Sequence, residues 1–201
     1  MQTLMVDLIT SLDGYASAEG WPGWWGLEGP EYLAWLEEGV PEGGFVTLMG
    51  ANTYRMMAQL STDAAGGRGE FRPEESDSLT GLDAMDKVVF SSTVTEPPAW
   101  PNTRLVSGDA VEAVRAMKHD GDRPLRTLGS VTLARSLLTA GLVDRFRLVV
   151  FPVITGATGS ERVYDGYPDV ALELVEARTF DGRSQLLDYV PTLLERPPGT
   201  G

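Results

Sequence analysis

Segments with the patterns of strands and of helices alternate along most of this 201-residue chain, and this alternation limits its fold more than any other feature. Short β-type runs such as TLMVDLI and GFVTLMG are followed by amphipathic helical runs such as PEYLAWLEEG and NTYRMMAQL. The alternation continues with strands at DKVVFSS, TRLVS, PLRTLG and RFRLVVFPV and with helices at GDAVEAVRAMKHDG and SVTLARSLLTAGLVD. It predicts an α/β fold in which a largely parallel sheet carries helices on its faces.

The last part of the chain has a different pattern. The run ALELVEARTFDGRSQLLDYVP reads as two strands joined at Asp-Gly with no helix between them, which predicts a C-terminal antiparallel hairpin. Residues 61–84 are rich in Gly, Ser and acidic residues at their start and predict a surface loop or insertion. We therefore expect one domain over residues 1–190 and a flexible tail over residues 191–201.

Composition excludes several classes of function. The chain has no Cys and a single His, so thiolate nucleophiles and Cys-based zinc sites are excluded, and His119 lies in a polar helix end that predicts a solvated residue. A net charge of -13 with scattered Lys and Arg argues against nucleic acid as a partner. No apolar run is long enough to span a bilayer, and the N-terminus lacks the pattern of a signal peptide, so we expect a cytoplasmic protein without a membrane partner.

Three junctions between a strand and the segment after it carry small and hydroxylated residues. They are LMGANTY, VFSSTV and the Gly129–Ser130 pair, and in a parallel sheet all three would lie at the same edge. Glycine allows close approach of a phosphate, and amides at helix N-termini can bind it. The three junctions together favour an extended phosphate-bearing ligand such as a dinucleotide, although no G-x-G-x-x-G motif follows the first strand.

Four segments in order resemble the dihydrofolate reductase-like family, especially the branch related to the C-terminal reductase domain of the bacterial riboflavin-biosynthesis deaminase-reductase. They are SLDGYAS, LMGANTY, KVVFSSTV and LGSVTLARSLLTAGLVDRFRLVVFPVITGATG. The resemblance covers about residues 2 to 190 and implies a three-layer fold with a central, mostly parallel sheet of about eight strands. It also implies NADPH across the strand ends, with a planar heterocycle beside the nicotinamide.

Carried over position by position, the resemblance implies three groups of cofactor-binding residues. The first group would meet the phosphates, the second the adenosine side and the third the pyrophosphate. They are Gly50, Asn52 and Thr53; Ser91, Ser92 and Thr93; and Gly129, Ser130, Val131 and Thr132. For Ser130 a plain helix cap without a ligand stays open as the alternative.

Two positions depart from the family pattern. Ala51 stands where relatives carry an Arg for the 2′-phosphate of NADPH, which leaves NADH or a flavin open as alternatives unless Arg55 bends back toward the strand end. Tyr32 stands where dihydrofolate reductases carry an acid, which argues against dihydrofolate itself as the substrate.

The remaining candidates surround the expected position of the nicotinamide. Candidate catalytic residues are Asp13, Glu31 and Tyr32, and candidate substrate-binding residues are Tyr15, Trp25 and Glu28. Asp13 also fits an ordinary Asp-Gly turn, and Glu31 also fits a surface charge in the first turn of a helix. Trp21, Trp24 and Trp25 with Tyr15 could form an aromatic wall for a flat ring, or could fill the core.

Two functions are consistent with these features. The first is a reductase that uses NAD(P)H to transfer hydride to a pterin-, pyrimidine- or flavin-like heterocycle, with no metal. The second is a non-catalytic protein on the same scaffold that binds a flavin or an aromatic metabolite. The resemblance leaves a homodimer open in either case.

Overall fold

A computed structural model of the chain describes residues 1–20, 25–69, 71, 73–94 and 99–195. Ten strands are present in this part of the chain, eight of them in one sheet with the order β5-β4-β3-β6-β1-β7-β10-β9. The strands are β1 (Leu4–Ser11), β2 (Tyr15–Ala18), β3 (Val46–Gly50), β4 (Asp86–Phe90), β5 (Thr103–Val106), β6 (Leu125–Thr127), β7 (Arg145–Phe151), β8 (Gly159–Arg162), β9 (Val170–Phe180) and β10 (Ser184–Leu193).

The first six strands of this order pair in parallel, whereas β10 is antiparallel to both β7 and β9. Strands β2 and β8 form a separate antiparallel pair. The structure thus confirms the α/β architecture with a mostly parallel central sheet and a C-terminal antiparallel hairpin.

Helices cover both faces of the sheet. They are α1 (Pro30–Glu37), α2 (Ala51–Ala65), α3 (Pro73–Ala84), α4 (Ala110–Asp120) and α5 (Val131–Thr139), with a short 3-10 helix at Gly156–Thr158. Alternate residues of a strand point to opposite faces, so Leu48 packs with the core under α4 and α5 while its neighbour Met49 packs with α2 and α3. A third cluster packs α1 against β7 and β10. The result is three layers.

The hairpin joins β9 to β10 at the predicted Asp-Gly pair. Asp181 and Gly182 both have positive φ, 51° and 64°, within the three-residue loop between the paired Phe180 and Ser184. Asp109 accepts hydrogen bonds from the amides of Val111 and Glu112 and thereby caps the N-terminus of α4.

Two predicted boundaries are wrong. Residues 61–84 are not a surface loop for most of their length, because α2 continues to Ala65 and α3 spans Pro73–Ala84 with Leu79 buried against α2. The sequence did not reveal α3 because it has few apolar residues. With about one buried residue per two turns, a helix shows little hydrophobic periodicity. The tail does not begin at residue 191, because β10 pairs with β9 as far as Leu193. Residues 196–201 lie outside the described part.

None of the helices found in the described ranges is both long enough and apolar enough to cross a lipid bilayer. His119 is exposed at the end of α4 and contacts Asp120, in agreement with the prediction of a solvated residue.

Candidate active site

The ends of β3 and β6 lie side by side, and Ser130 joins the loops that follow them. Its Oγ accepts a hydrogen bond of 2.7 Å from the amide of Gly50 and lies 2.7 Å from Oγ1 of Thr53. Ser130 has a left-handed backbone with φ 59°, and Gly129 before it has φ 56°. The alternative of a plain helix cap is wrong, because the Ser130 side chain makes no bond to its own helix.

The N-termini of α2 and α5 are therefore open. Neither helix has a side chain that accepts from its first amides, whereas the amides of Glu31 and Tyr32 in α1 donate to the Asp181 carboxylate. Uncapped first-turn amides carry partial positive charge and need an acceptor. Both open ends lie at the same edge of the sheet, which creates a place for an anionic group.

These two helix ends open into a cavity of about 1150 Å³. This volume exceeds the range of roughly 300 to 1,000 Å³ that is usual for one small-molecule site, so the cavity has room for two ligands side by side. The predicted cofactor-binding residues that line it are Gly50, Asn52, Thr53, Gly129, Ser130, Val131 and Thr132. The structure brings together two of the three predicted groups.

The third group does not line the cavity. Ser91, Ser92 and Thr93 follow β4 directly, and the Ser91 hydroxyl accepts bonds from the amides of Thr93 and Val94 in a local turn. Phe90 just before them does line the cavity, so the group lies next to its wall. The assignment of Ser91 to Thr93 to the adenosine side remains a prediction.

The opposite end of the cavity has a charged floor, which the sequence analysis missed. Asp7 on β1 and Arg126 on β6 both line it, and Nη2 of Arg147 on β7 donates to Oδ2 of Asp7 at 2.6 Å. Arg126 is 7% exposed, and burial lowers its pKa below its ordinary value, although a guanidinium stays charged at neutral pH. Each of the strands β1, β6 and β7 has a charged residue in its middle, although both faces of the sheet are covered there. This pattern in the sequence could have indicated the charged floor.

Tyr32 lines the cavity beside this floor and is 4% exposed. Its ring stacks on Trp35 at 6.0 Å and meets Phe151 edge-on at 5.5 Å. Burial, and then the nearby carboxylates of Asp7 and Glu28, raise the pKa of Tyr32 far above its ordinary value of 10.0. The phenol is therefore neutral and a weak acid, suited to hydrogen bonding and ring contact rather than proton transfer.

Asp13 lies outside the cavity lining and holds two loops together. Its carboxylate accepts hydrogen bonds from the Ser11 hydroxyl and from the amides of Thr155 and Gly156. The bond from Ser11 and those from the two amides lower the pKa of Asp13 to about 2. Asp13 is thus ionised at neutral pH, which argues against this candidate catalytic residue as the proton donor.

The two glutamates predicted near the substrate are also engaged elsewhere. Glu31 is exposed and accepts a bond of 2.6 Å from the amide of Asp181, completing the reciprocal cap of α1. Glu28 is 1% exposed and accepts a bond from the amide of Trp25. Neither residue is among those that line the cavity.

The aromatic wall is wrong for Trp25. This residue is 3% exposed and packs in the core cluster of α1, β7 and β10. Tyr15 lies on β2 with its ring under Arg162 at 4.9 Å, while its neighbours Ala16 to Ala18 line the cavity. Trp21 and Trp24 lie outside the described residues.

Ala51 lines the cavity at the first turn of α2, as expected for the position of the missing Arg. Arg55 does fold back along the helix, and its Nη1 donates to Oδ1 of Asn52 at 3.3 Å. Among the described residues no group of three His, Cys, Asp or Glu could hold a metal ion. The cavity thus combines open amides at one end with an arginine, a carboxylate and a neutral phenol at the other.

Comparison with known proteins places this geometry in one family. The family described as the RibD C-terminal domain matches residues 2–186 of this chain. The uncharacterised protein YyaP of Bacillus subtilis (strain 168) is 24% identical over 183 residues, which cover 88% of each chain.

Solved structures show the same fold. A protein from Shewanella sp. PV-4, provisionally assigned to riboflavin biosynthesis, superposes with a TM-score of 0.69 at 21% identity over 95% of this chain and 99% of its own. The diaminohydroxyphosphoribosylaminopyrimidine deaminase/5-amino-6-(5-phosphoribosylamino)uracil reductase of Thermotoga maritima superposes with a TM-score of 0.63 at 16% identity. That match covers 95% of this chain and 57% of the Thermotoga chain. The dihydrofolate reductase-like fold is confirmed.

Proposed function

The chain belongs to the RibD C-terminal domain family, and we propose that it is an NAD(P)H-dependent reductase that transfers hydride to a planar, pyrimidine-like heterocycle. The family is that of a reductase domain, and the Thermotoga relative carries a uracil reductase activity in its name. The cofactor and the substrate of this chain are the parts of the proposal that go beyond family membership.

One observation supports the proposal above all others. The open N-termini of α2 and α5, with Gly50, Thr53, Gly129 and Ser130, meet at one end of a cavity that continues to Tyr32 and Arg126. A dinucleotide needs amide donors for its diphosphate and space for a flat ring beyond it. The cavity offers the amide donors at the helix ends and, further along, the space for the ring.

When bound, the nicotinamide supplies the hydride, and the task of the protein is to position two rings and exclude water. Gly129 leaves room for the diphosphate, while the first amides of α5 and α2 would donate to it. Tyr32 would contact the face of the heterocycle as a neutral ring. Since Asp13 is ionised and Glu31 caps α1, we expect the proton to come from water.

Cofactor choice is expected to depend on Arg55. This residue is the cation bonded to Asn52, a residue of the cavity wall, and it lies one helical turn after Ala51. A single exposed Arg holds a 2′-phosphate less firmly than a pre-positioned one, so we expect a modest preference for NADPH over NADH.

The test is a fluorescence titration with NADPH, NADH, FMN and FAD on the native protein and on two glycine variants. Gly129→Ala adds a methyl group 3.4 Å from Thr53, inside the cavity. Gly67→Ala is the matched control, because Gly67 has a similar φ of 62° and an added methyl would meet nothing within 4 Å. Both variants should lose about 1–2 kcal/mol of stability from left-handed strain.

We expect saturable NADPH binding that weakens at least about tenfold in Gly129→Ala and is unchanged in Gly67→Ala, because one charge-assisted hydrogen bond carries roughly 1.5 to 3 kcal/mol. Tight FMN or FAD binding without nicotinamide binding would establish the non-catalytic alternative instead. Equal effects of the two substitutions would remove the diphosphate site from Gly129.

A further inference from the structure

We infer that Arg126 is the substrate anchor of the cavity and that the heterocycle to be reduced carries a carboxylate that pairs with its guanidinium. This inference rests on the proposed function in one respect, namely that the occupant of the floor is the compound that accepts the hydride. The binding of a carboxylate by Arg126 can be measured without any reduction.

Arg126 is a buried cation with unused hydrogen-bonding capacity. The residue is 7% exposed and lines the cavity, and its Nε finds no hydrogen-bond partner within the described part of the chain. Its guanidinium carbon lies over the ring of Phe45, 5.1 Å from the ring centre. A guanidinium carries five donors, and leaving them unmade in a buried place is costly.

The carboxylate of Asp7, which lies near Arg126, is hydrogen-bonded to another arginine. Asp7 interacts electrostatically with Arg126, but its Oδ2 accepts a 2.6 Å bond from Arg147. Asp7 and Arg147 are directly opposite in the register of β1 and β7, and their side chains are 16% and 15% exposed, so the pair is fixed by the sheet. Arg126 therefore shares the charge of Asp7 with Arg147 and makes no hydrogen bond to this carboxylate among the described residues.

The neighbouring strand β3 also has a buried polar side chain without a hydrogen-bond partner among the described residues. Thr47 on β3 is the register partner of Arg126 on β6, it is 1% exposed, and its hydroxyl also lacks a hydrogen-bond partner among the described residues. Register partners on parallel strands point to the same face of a sheet. Thr47 itself is not among the residues that line the cavity, so Arg126 is the member of this pair that can meet a ligand.

The geometry of the donor selects a planar oxyanion. An arginine fork matches the two oxygens of a carboxylate, and this pairing is favoured most where water is excluded. Arg126 is also the only Lys or Arg among the described residues that line the cavity, where Asp7, Glu19, Glu37, Asp77 and Glu161 are acidic. With the diphosphate at the open helix ends, Arg126 is the cationic side chain that is left for an anionic substrate.

The position of Arg126 fits a small ring. Arg126 precedes Gly129 by three residues along β6 and the turn after it, which corresponds to about 10 Å of extended chain. A single heterocycle whose carboxylate lies at the floor would therefore stand beside the nicotinamide, within this distance of the diphosphate end. Tyr32 lies beside this path as an aromatic surface for the ring.

The experiment compares two probes that differ only in the carboxylate. Uracil and its 6-carboxylate, orotate, are titrated into the protein by isothermal calorimetry, with and without saturating NADPH. We expect native protein to bind orotate at least about tenfold more tightly than uracil, the ratio set by a charge-assisted bond. Equal affinities, or no binding of either probe, would overturn the inference.

Three variants assign the preference to Arg126. Arg126→Met should bind both probes within about twofold of each other, and Arg126→Lys should keep part of the preference because it keeps the charge without the fork. Arg178→Met is the control, since Arg178 lies on the exposed face of β9 and pairs with Glu38. Orotate binding by Arg126→Met at the native affinity would refute the assignment.

Thermal stability distinguishes an anchor from a structural residue. Replacing a buried charge that lacks a partner with an apolar residue of similar length is usually neutral or stabilising, so we expect Arg126→Met to melt at or above the native temperature. A large loss of stability would show that Arg126 supports the fold instead.

The experiments can contradict the reductase function and the substrate anchor independently of each other. If native protein prefers orotate but binds neither NADPH nor NADH, the anchor stands and the reductase function falls. If NADPH binds to native protein and to Arg126→Met alike, while no probe is preferred, the reductase function stands and the anchor falls.

Discussion

Ser130 holds a backbone conformation that is rare outside glycine, and its hydroxyl is what makes that conformation useful. With φ 59° and ψ 66° it turns the chain so that Oγ reaches the amide of Gly50 and the hydroxyl of Thr53. The left-handed conformation costs roughly 1 to 2 kcal/mol in a residue with a Cβ. The two hydrogen bonds offset this cost and fix the two loops relative to each other.

Two substitutions at this position separate the hydroxyl from the backbone strain. Ser130→Ala keeps the strain and loses both bonds, so we expect a loss of about 1 to 2 kcal/mol in the free energy of unfolding. Ser130→Gly loses the bonds but also the strain, so it should be the more stable of the two. Urea denaturation measures both. Thr139→Ala, which affects only an exposed bond within α5, is the control.

NADPH affinity should fall to a similar extent in both Ser130 variants, because both lack the hydroxyl that joins the loops. If Ser130→Ala proves as stable as the native protein, the hydrogen bonds between the loops do not contribute to stability.

At the scale of the elements, the difference between capped and open helices marks the site. The first amides of α1 are satisfied by Asp181 from the hairpin, whereas α2 and α5 leave theirs open toward the cavity. Asp13 makes the other connection between elements, since it ties the turn after β1 to the start of the 3-10 helix. This clamp holds the loops beside the cavity without lining it.

The clamp should weaken in acid. The pKa of Asp13 is lowered from 3.8 to about 2 in the folded protein, so the unfolded chain takes up a proton first as the pH falls. The stabilisation by Asp13 is therefore complete above about pH 4 and is lost between there and about pH 2. Asp13→Asn should melt below the native protein at pH 7, and the gap should narrow at pH 3.

Melting curves at pH 7, 5 and 3 measure this gap. Asp122→Asn serves as the control, because its side chain is 97% exposed and should give no gap at any pH. A gap for Asp13→Asn that is the same at pH 3 as at pH 7 would contradict the clamp.

On the scale of the whole molecule, the edge strand β9 of the sheet is long and largely exposed. Strand β9 spans 11 residues, all of which are exposed except Val170 and Phe180 at its two ends, and Leu172, Leu174 and Val175 are 44% to 55% exposed. An edge of this length with apolar side chains favours association with another chain. We therefore propose β9 as the contact surface of the homodimer that the resemblance leaves open.

Analytical ultracentrifugation tests the homodimer. We expect the native protein to sediment as a dimer and Leu174→Lys to sediment as a monomer at the same concentration, because the added charge opposes burial of β9. The variant should keep its fold, since position 174 is exposed. Glu173→Gln is the neighbouring control, and a native protein that sediments as a monomer would make the homodimer prediction wrong.

The sequence by itself determined the order of most elements, but not the pair β2 and β8, and it also determined the mostly parallel sheet with its terminal hairpin and the two glycine-containing junctions at Gly50 and Gly129. These features depend on local chemistry, because periodicity, caps and turn residues act within a few positions of each other. The helix α3 escaped prediction because its pattern of buried residues is too sparse to read without its neighbours.

Only the tertiary structure decided which side chains meet. It placed Trp25 in the core, gave Asp13 and Glu31 to loop and helix contacts, and brought Asp7, Arg126 and Arg147 together from three strands. The order of strands in the sheet sets these contacts, and residues about 120 to 140 positions apart become neighbours through it. Short-range patterns carry no information about that order, so the charged floor becomes visible only after the chain has folded.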